Sequence, residues 1–306
     1  MTAHPARYHK TVWMYWENPP GCSRPVYLDL CVETINRHLG SYALQLLDEQ
    51  SVTDYIDLPE RIRHPGIPPD RRADYIRYAL LYQYGGVWLD HDLILVRDVD
   101  DMVEPYVEQA GFVIATGTTT SGLHTPARGG HHKPITAYNS VMASVPGCEI
   151  LNEALCTMHR AVSYSSLSGL KSRFAYFISK SVWRASPGPV LWIENGPSML
   201  KHILPKHEFY THPISRLGLS WSRHKEYYWE IEDISAYLTN RPFGFNLYHS
   251  GGMGSALQHA TRTQLLSGSS LLAQLFRLAL QEPERSGGGG GEKKFGFKVW
   301  DQSRNG

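Results

Sequence analysis

The sequence predicts an α/β protein, and three observations near its start carry that prediction. Val12-Trp-Met-Tyr-Trp16 is a β-branched and aromatic run, ended by the turn residues Glu17-Asn-Pro-Pro-Gly21, and reads as a buried strand. From Tyr27 to Leu39, apolar residues fall at Leu28, Cys31, Val32, Ile35 and Leu39. That is helical spacing, and Gly40 closes it. Tyr42-Ala-Leu-Gln-Leu-Leu47 then reads as a second strand. Strand, helix, strand is the opening of a βαβ unit.

The rest of the chain extends the pattern. Arg71 to Tyr84 predicts a helix with Ala73, Ile76, Leu80 and Tyr84 along one face. Pro68-Pro69-Asp70 starts it and Gly85-Gly86 stops it. Val87 to Leu89 is a short strand ending in Asp90-His91-Asp92, and Leu93 to Val96 continues extended before an acidic segment, Asp98 to Glu104. Phe112 to Ala115 is a further strand. Thr116 to Lys133 is rich in Thr, Gly and His without periodicity, so it is expected to be a loop, of a length that is usually functional or mobile. Glu149 to Arg160 predicts a helix, Glu194-Asn-Gly-Pro197 a turn, Ser198 to Ile203 a helix, and Leu271 to Leu280 an amphipathic helix. Residues 1–285 are expected to form one domain. Residues 286–306 are expected to be a Gly-rich linker with a short tail.

Composition excludes several classes. Of 306 residues, 30 are Lys or Arg and 29 are Asp or Glu, a net charge of +1. That balance argues against nucleic acid as the partner. The four cysteines show no C-x-x-C pair and no zinc-finger spacing, which favours a reducing, cytoplasmic setting. The first ten residues are polar, and no run approaches the ~20 apolar residues of a membrane span. A soluble protein is expected, with peripheral association at a membrane surface left open.

The chemistry concentrates in Arg71-Arg-Ala-Asp-Tyr-Ile-Arg77 and Gly85-Gly-Val-Trp-Leu-Asp-His-Asp92. Asp90 and Asp92 would share a face on an ideal strand. A strand end is where an open α/β sheet places its ligands. Two carboxylates there suit Mg²⁺ or Mn²⁺, which keep waters and bridge to phosphates. Asp74 and Arg77, three apart, lie on one helical face, and the glycines permit a sharp turn that brings them beside the pair. His91, between the carboxylates, is expected to point outward. A nucleotidyltransferase, a glycoside hydrolase and a non-catalytic carbohydrate-binding protein are the alternatives for an Asp-x-Asp pair on these residues alone.

The ordered set Asp74, Arg77, Tyr78, Leu81, Gly85, Gly86, Asp90 and Asp92 resembles the donor-site signature of glycosyltransferase family 32, with its capsular polysaccharide synthesis relatives. Trp13 to Trp16, the segment Tyr138-Asn139-Ser140-Val141-Met142, and Asn195-Gly196-Pro197 resemble further segments of that group. The resemblance implies a GT-A type nucleotide-sugar-binding fold. It implies transfer from a UDP- or GDP-sugar to a saccharide or glycoconjugate acceptor, Mn²⁺ or Mg²⁺ as cofactor, and retention at the anomeric carbon. Under it, Trp16 stacks on the base, and Asp74 and Arg77 hold donor sugar hydroxyls. Asp90 faces ribose or sugar, and Asp92 binds the metal, with Asp90 and His249 as further ligand candidates. Trp13, Tyr78, Gly85, Gly86, Asn139 and Asn195 complete the expected donor-binding set. The catalytic set is Asp74, Arg77, Asp90 and Asp92. His131 and His132 are weaker metal candidates. Glu194 and Asp233 are the carboxylates considered as nucleophile, and same-face attack is favoured over either.

Overall fold

The βαβ opening is present. In the computed structural model, β1 (Thr11–Tyr15), α1 (Val26–Arg37) and β2 (Ala43–Leu47) follow one another, and β1 pairs with β2 in parallel. The structure describes residues 8–18, 21–65, 67–126, 133–165, 196–217, 234–247 and 253–281. After a short α2 (Glu60–Arg63), α3 (Pro69–Tyr84) runs back across the sheet, and β3 (Gly86–Leu89) pairs with β1 in parallel. The chain continues through β4 (Leu93–Leu95), α4 (Val99–Ala110), β5 (Phe112–Thr116), β6 (Gly122–His124), β7 (Ala137–Ser144) and α5 (Glu149–Ser165). It ends through α6 (Gly196–Ile203), β8 (Phe209–Pro213), α7 (Ser235–Leu238), β9 (Gly244–Asn246), α8 (Met253–Leu257), α9 (Arg262–Ser267) and α10 (Leu271–Leu280).

Seven strands form one mixed sheet in the order β2-β1-β3-β7-β5-β8-β6. β7 is antiparallel to both β3 and β5, and β6 is antiparallel to β8. The carboxyl ends of β1, β3, β5 and β8 therefore point to the same edge. One face packs Trp13, Tyr15, Trp88, Phe112, Ile114 and Phe209 against helices that include α3, α5 and α6. The other face packs Val12, Met14, Val87, Leu89, Val113 and Ala115 against residues of α4. A third cluster joins α1, β9, α9 and α10 through Tyr27, Leu30, Phe245, Leu265, Leu272 and Phe276. No helix among the described residues is long and apolar enough to cross a membrane.

Four expectations change. The acidic segment from Asp98 begins α4. Asp100 and Asp101 lie in its first turn, where the helix dipole favours them, and Val99, Met102, Val103 and Val107 form its buried stripe. The strand at 137–144 was expected only as a segment of resemblance, yet β7 sits inside the sheet between β3 and β5. The extension Leu93 to Leu95 leaves the main sheet and pairs with β9 in a separate two-stranded sheet. Within the Thr116 to Lys133 loop, residues 122–124 pair with β8 as an edge strand.

Candidate active site

The site begins with a turn. Helix α3 ends at Gly85, whose φ is 67°, and Gly86 follows with φ 96°. A Cβ on Gly85 would lie 2.7 Å from the Ser144 carbonyl oxygen, and one on Gly86 would lie 2.5 Å from the Thr11 carbonyl oxygen. Only glycine serves at both positions. The turn sends the chain straight from α3 into β3, so α3 lies on the sheet face that carries Trp88. Both glycines stand at the amino end of β3, one strand length from Asp90. They set the α3–β3 turn that brings Arg77 to Asp90.

At the other end of β3, Asp90 still holds the ladder: its N–H donates to the Ser140 carbonyl at 2.9 Å. The Trp88 indole N–H donates to Asp90 Oδ1 at 2.7 Å, and Arg77 Nη1 lies 3.3 Å from the same oxygen. On the other side, Arg77 Nε lies 3.3 Å from Asp74 Oδ1. Arg77 also donates to the Asn139 carbonyl, and its guanidinium stands 4.9 Å from the Trp88 ring centre. Asn139 Nδ2 donates to Asp74 Oδ1 at 2.8 Å, and the Gly196 N–H donates to Asp74 Oδ2 at 3.0 Å. Asp74, Arg77 and Asn139 are all buried. Four segments distant in sequence thus meet on one guanidinium and one carboxylate.

The bulge in β7 makes this meeting possible. Ile114 pairs with Met142, but the next residue, Ala115, pairs with Tyr138. Asn139 to Val141 are therefore extra on the β7 side. A bulge of this kind re-aims side chains beside a site. Here it turns the Asn139 amide to Asp74 and its carbonyl to Arg77.

Burial pushes the Asp74 carboxyl above its ordinary value, and Arg77, the Gly196 N–H and the Asn139 amide pull against that rise. Burial alone would lower Arg77, but Asp90 and Asp74 outweigh it and hold the guanidinium above its usual pKa. Asp92 also acts on Arg77, and it raises Tyr27 and Cys31 of α1 behind the larger effect of their own burial. Asp90 thus contacts the guanidinium directly, and Asp92 lies between Arg77 and α1, close enough to act on both. Three carboxylates against one guanidinium leave a surplus of negative charge in hard oxygens, the donor set suited to a divalent cation. No group of three or more His, Cys, Asp or Glu residues that could hold a metal is found among the described residues.

Several expected site residues lie elsewhere. Trp13 is 3% exposed, packs against Tyr55 and Tyr84, and its indole N–H donates to the Gly85 carbonyl at 2.9 Å. It is a core residue that braces the turn. Tyr78 is fully buried and packs in the core on the face that carries Trp88. His91 does not point outward. It is 4% exposed, its ring centre is 5.6 Å from that of Trp16, and burial pushes its pKa down to about 3. The register Trp13↔Trp88, continued along both strands, sets Trp16 beside His91 and Tyr15 beside Asp90. Trp16 is therefore at the right edge of the sheet, but on the face opposite Arg77. Asn195, His249, His131, His132, Glu194 and Asp233 lie outside the described residues. In the sequence, Gly196 stands out only within the segment Asn195-Gly196-Pro197, with Asn195 and not Gly196 expected at the site. Its signal was the Gly-Pro pair, whose backbone N–H is what the site uses.

Residues 1–159 match the family described as capsular polysaccharide synthesis protein. The chain belongs to that family. As a member of the capsular polysaccharide synthesis family, it carries Asp74, Arg77, Asp90, Asp92 and Asn139 within the matched half. It is also 30% identical over 138 residues to the O-glycosyltransferase braB of Annulohypoxylon truncatum, a match over 37% of this chain and 31% of that protein. The chain thus spans about a third of the length of that relative. Among solved structures, it is similar to the PaToxG glycosyltransferase, with 13% identity, 89% of this chain and 88% of that chain covered, and a TM-score of 0.37. It is also similar to the glycosyltransferase GlyE of Streptococcus pneumoniae TIGR4, with 12% identity, 90% and 61% covered, and a TM-score of 0.38.

Proposed function

We propose that this protein is a metal-dependent glycosyltransferase of GT-A type. It moves a hexosyl group from a UDP- or GDP-sugar to a hydroxyl of a saccharide or glycoconjugate, with retention at the anomeric carbon. The carrying observation is the Asp74–Arg77–Asp90 cluster, with Asp74 and Arg77 buried, clamped by Asn139 and Gly196 at the carboxyl edge of β1, β3, β5 and β8 in the mixed sheet. Such edges are where open α/β sheets bind nucleotides. The relative's own name, O-glycosyltransferase, points the same way.

Each side chain has a part. Oδ1 of Asp74 is used by Asn139 and Arg77, and Oδ2 by Gly196, which leaves Oδ2 capacity for one donor-sugar hydroxyl. Both contacts of Asp90 fall on Oδ1, and its side chain is 27% exposed, so Oδ2 is left for a ligand. Asp92 and Asp90 Oδ2 would hold Mn²⁺ or Mg²⁺, with water and the donor diphosphate completing the shell. When bound, the ion neutralises charge growing on the leaving diphosphate. Arg77 is fixed by carboxylates on both sides and presents positive charge where sugar and phosphate meet. As the bond from the anomeric carbon to the phosphate oxygen breaks, the acceptor oxygen bonds to that carbon on the same face. The acceptor proton passes to the leaving phosphate.

Purified protein offered UDP-Gal, UDP-Glc, UDP-GlcNAc and GDP-Man with Mn²⁺ should release nucleoside diphosphate from one of them. Release should stop in EDTA and in Asp92→Asn. Full activity of Asp92→Asn in metal-buffered assay would overturn the assignment.

A further inference from the structure

A concavity opens on the sheet face that carries the Asp74–Arg77 cluster. Its volume is about 370 Å³, within the range of small-molecule sites and far above that of one water. Its lining combines an apolar floor with hydroxyls, an ammonium and an imidazole. Phe209, Pro205, Pro134 and Ile135 supply the floor. Thr116, Thr118, Thr125 and Thr211 supply the hydroxyls. Lys133 and His124 complete the lining, and no carboxylate belongs to it among the described residues.

Position links this cavity to the reaction. Ile114 and Phe209 belong to the same core face as Trp88, so Thr116 and Thr211, two residues on, face that side as well. Thr116 stands two strands from Asp90, about 10 Å across the sheet, and each lies four residues beyond a partner of Ser144, Phe112 on β5 and Gly86 on β3. Helix α6 spans the gap. Its first residue donates to Asp74, and Pro205, just past its last, lines the cavity. The Thr116 and Thr211 hydroxyls bond each other at 2.7 Å; Thr116 is further used by the Thr118 hydroxyl and N–H, and Thr211 keeps acceptor capacity for a ligand. A buried hydroxyl pair over an apolar floor suits a sugar ring, which offers C–H faces and hydroxyl edges. An ammonium with no carboxylate in the same lining suits an anion.

We propose that this cavity is a subsite for an anionic saccharide, namely the acidic unit of the acceptor that lies remote from the reacting hydroxyl. The proposal rests on the transferase reading for its place in the reaction, but its ligand chemistry stands on the lining alone.

The test titrates two acidic probes and their neutral counterparts into the full chain by calorimetry. Hyaluronan tetrasaccharide is set against N-acetylchitotetraose for the carboxylate source, and mannose 6-phosphate against mannose for the phosphate source. Lys133 is exposed, so Lys133→Gln tests the charge without loss of fold, and Lys133→Arg keeps the charge. At least one acidic probe should bind more tightly than its neutral counterpart. Lys133→Gln should weaken it by about tenfold, and Lys133→Arg should restore it. UDP with Mn²⁺ should bind all three proteins alike. Equal binding of acidic and neutral probes, indifference to Lys133→Gln, or no saccharide binding would overturn the subsite. If acidic probes bind as expected but UDP with Mn²⁺ does not, the transferase reading fails and the subsite stands.

Discussion

Single atoms decide the site. A Cβ on Gly196 would lie 2.7 Å from both Asp74 Cγ and Asn139 Nδ2, so Gly196→Ala must push the carboxylate out of place. Nucleotide-sugar turnover should fall on the order of 10²-fold, with circular dichroism unchanged. Asp74→Asn keeps the shape but removes the anion that Arg77 and the Gly196 N–H address. Its kcat/KM should fall on the order of 10²–10³-fold. His212 is a residue-scale matter of stability. Its Nε2 is 3.0 Å from the Met102 carbonyl and its Nδ1 3.0 Å from Ser121 Oγ, a neutral-tautomer arrangement, and burial pushes its pKa down to about 4. A histidine free in the unfolded chain titrates near ~6.5, so the unfolded state takes up more protons between the two values. Stability is full above that range and is lost as pH falls toward 4. Urea titrations should show about 2 kcal/mol lost between pH 7 and pH 5 through this group, and His212→Gln should flatten that slope.

Elements carry those atoms to their places. The α3–β3 turn is the clearest case, because Gly85 at φ 67° faces the Ser144 carbonyl at a distance no side chain tolerates. Gly85→Ala should cost about 2 kcal/mol or more in chemical denaturation, with donor binding lost only as the protein unfolds. This turn was legible in the sequence, because a helical stripe ending in two glycines before a β-branched run has few other solutions. Strand β7 was not legible. Ala137-Tyr-Asn-Ser-Val-Met-Ala-Ser144 shows no alternation, since both its faces are covered and its bulge breaks the period of two. Helix α4 was hidden for a different reason. Its acidic first turn and Pro105 look like a loop until the apolar stripe behind them is counted.

Across the whole molecule, α10 closes the structure onto α1. Leu271, Leu272, Leu275 and Phe276 pack with Tyr27, Leu28 and Leu30 of α1 and Phe245 of β9. The β4–β9 pair leans on this cluster, and β4 follows directly after Asp92. Phe276→Ala should cost about 3–5 kcal/mol in thermal or urea unfolding. Hydrogen exchange should quicken first at Leu93 to Leu95. The sequence by itself determined the α/β class, the helix carrying Asp74 and Arg77, the glycine turn and the carboxylates beyond β3. Each of these is written in local spacing, and local spacing is set by the 3.6-residue and 2-residue periods of the backbone. Tertiary structure alone decided which residues face the site. Trp13 and Tyr78 went to the core, His91 went beneath Trp16, and Gly196 arrived from 122 residues away to cap Asp74. A buried carboxylate must find partners wherever the fold brings them, and no periodicity along the chain records a contact made across the sheet.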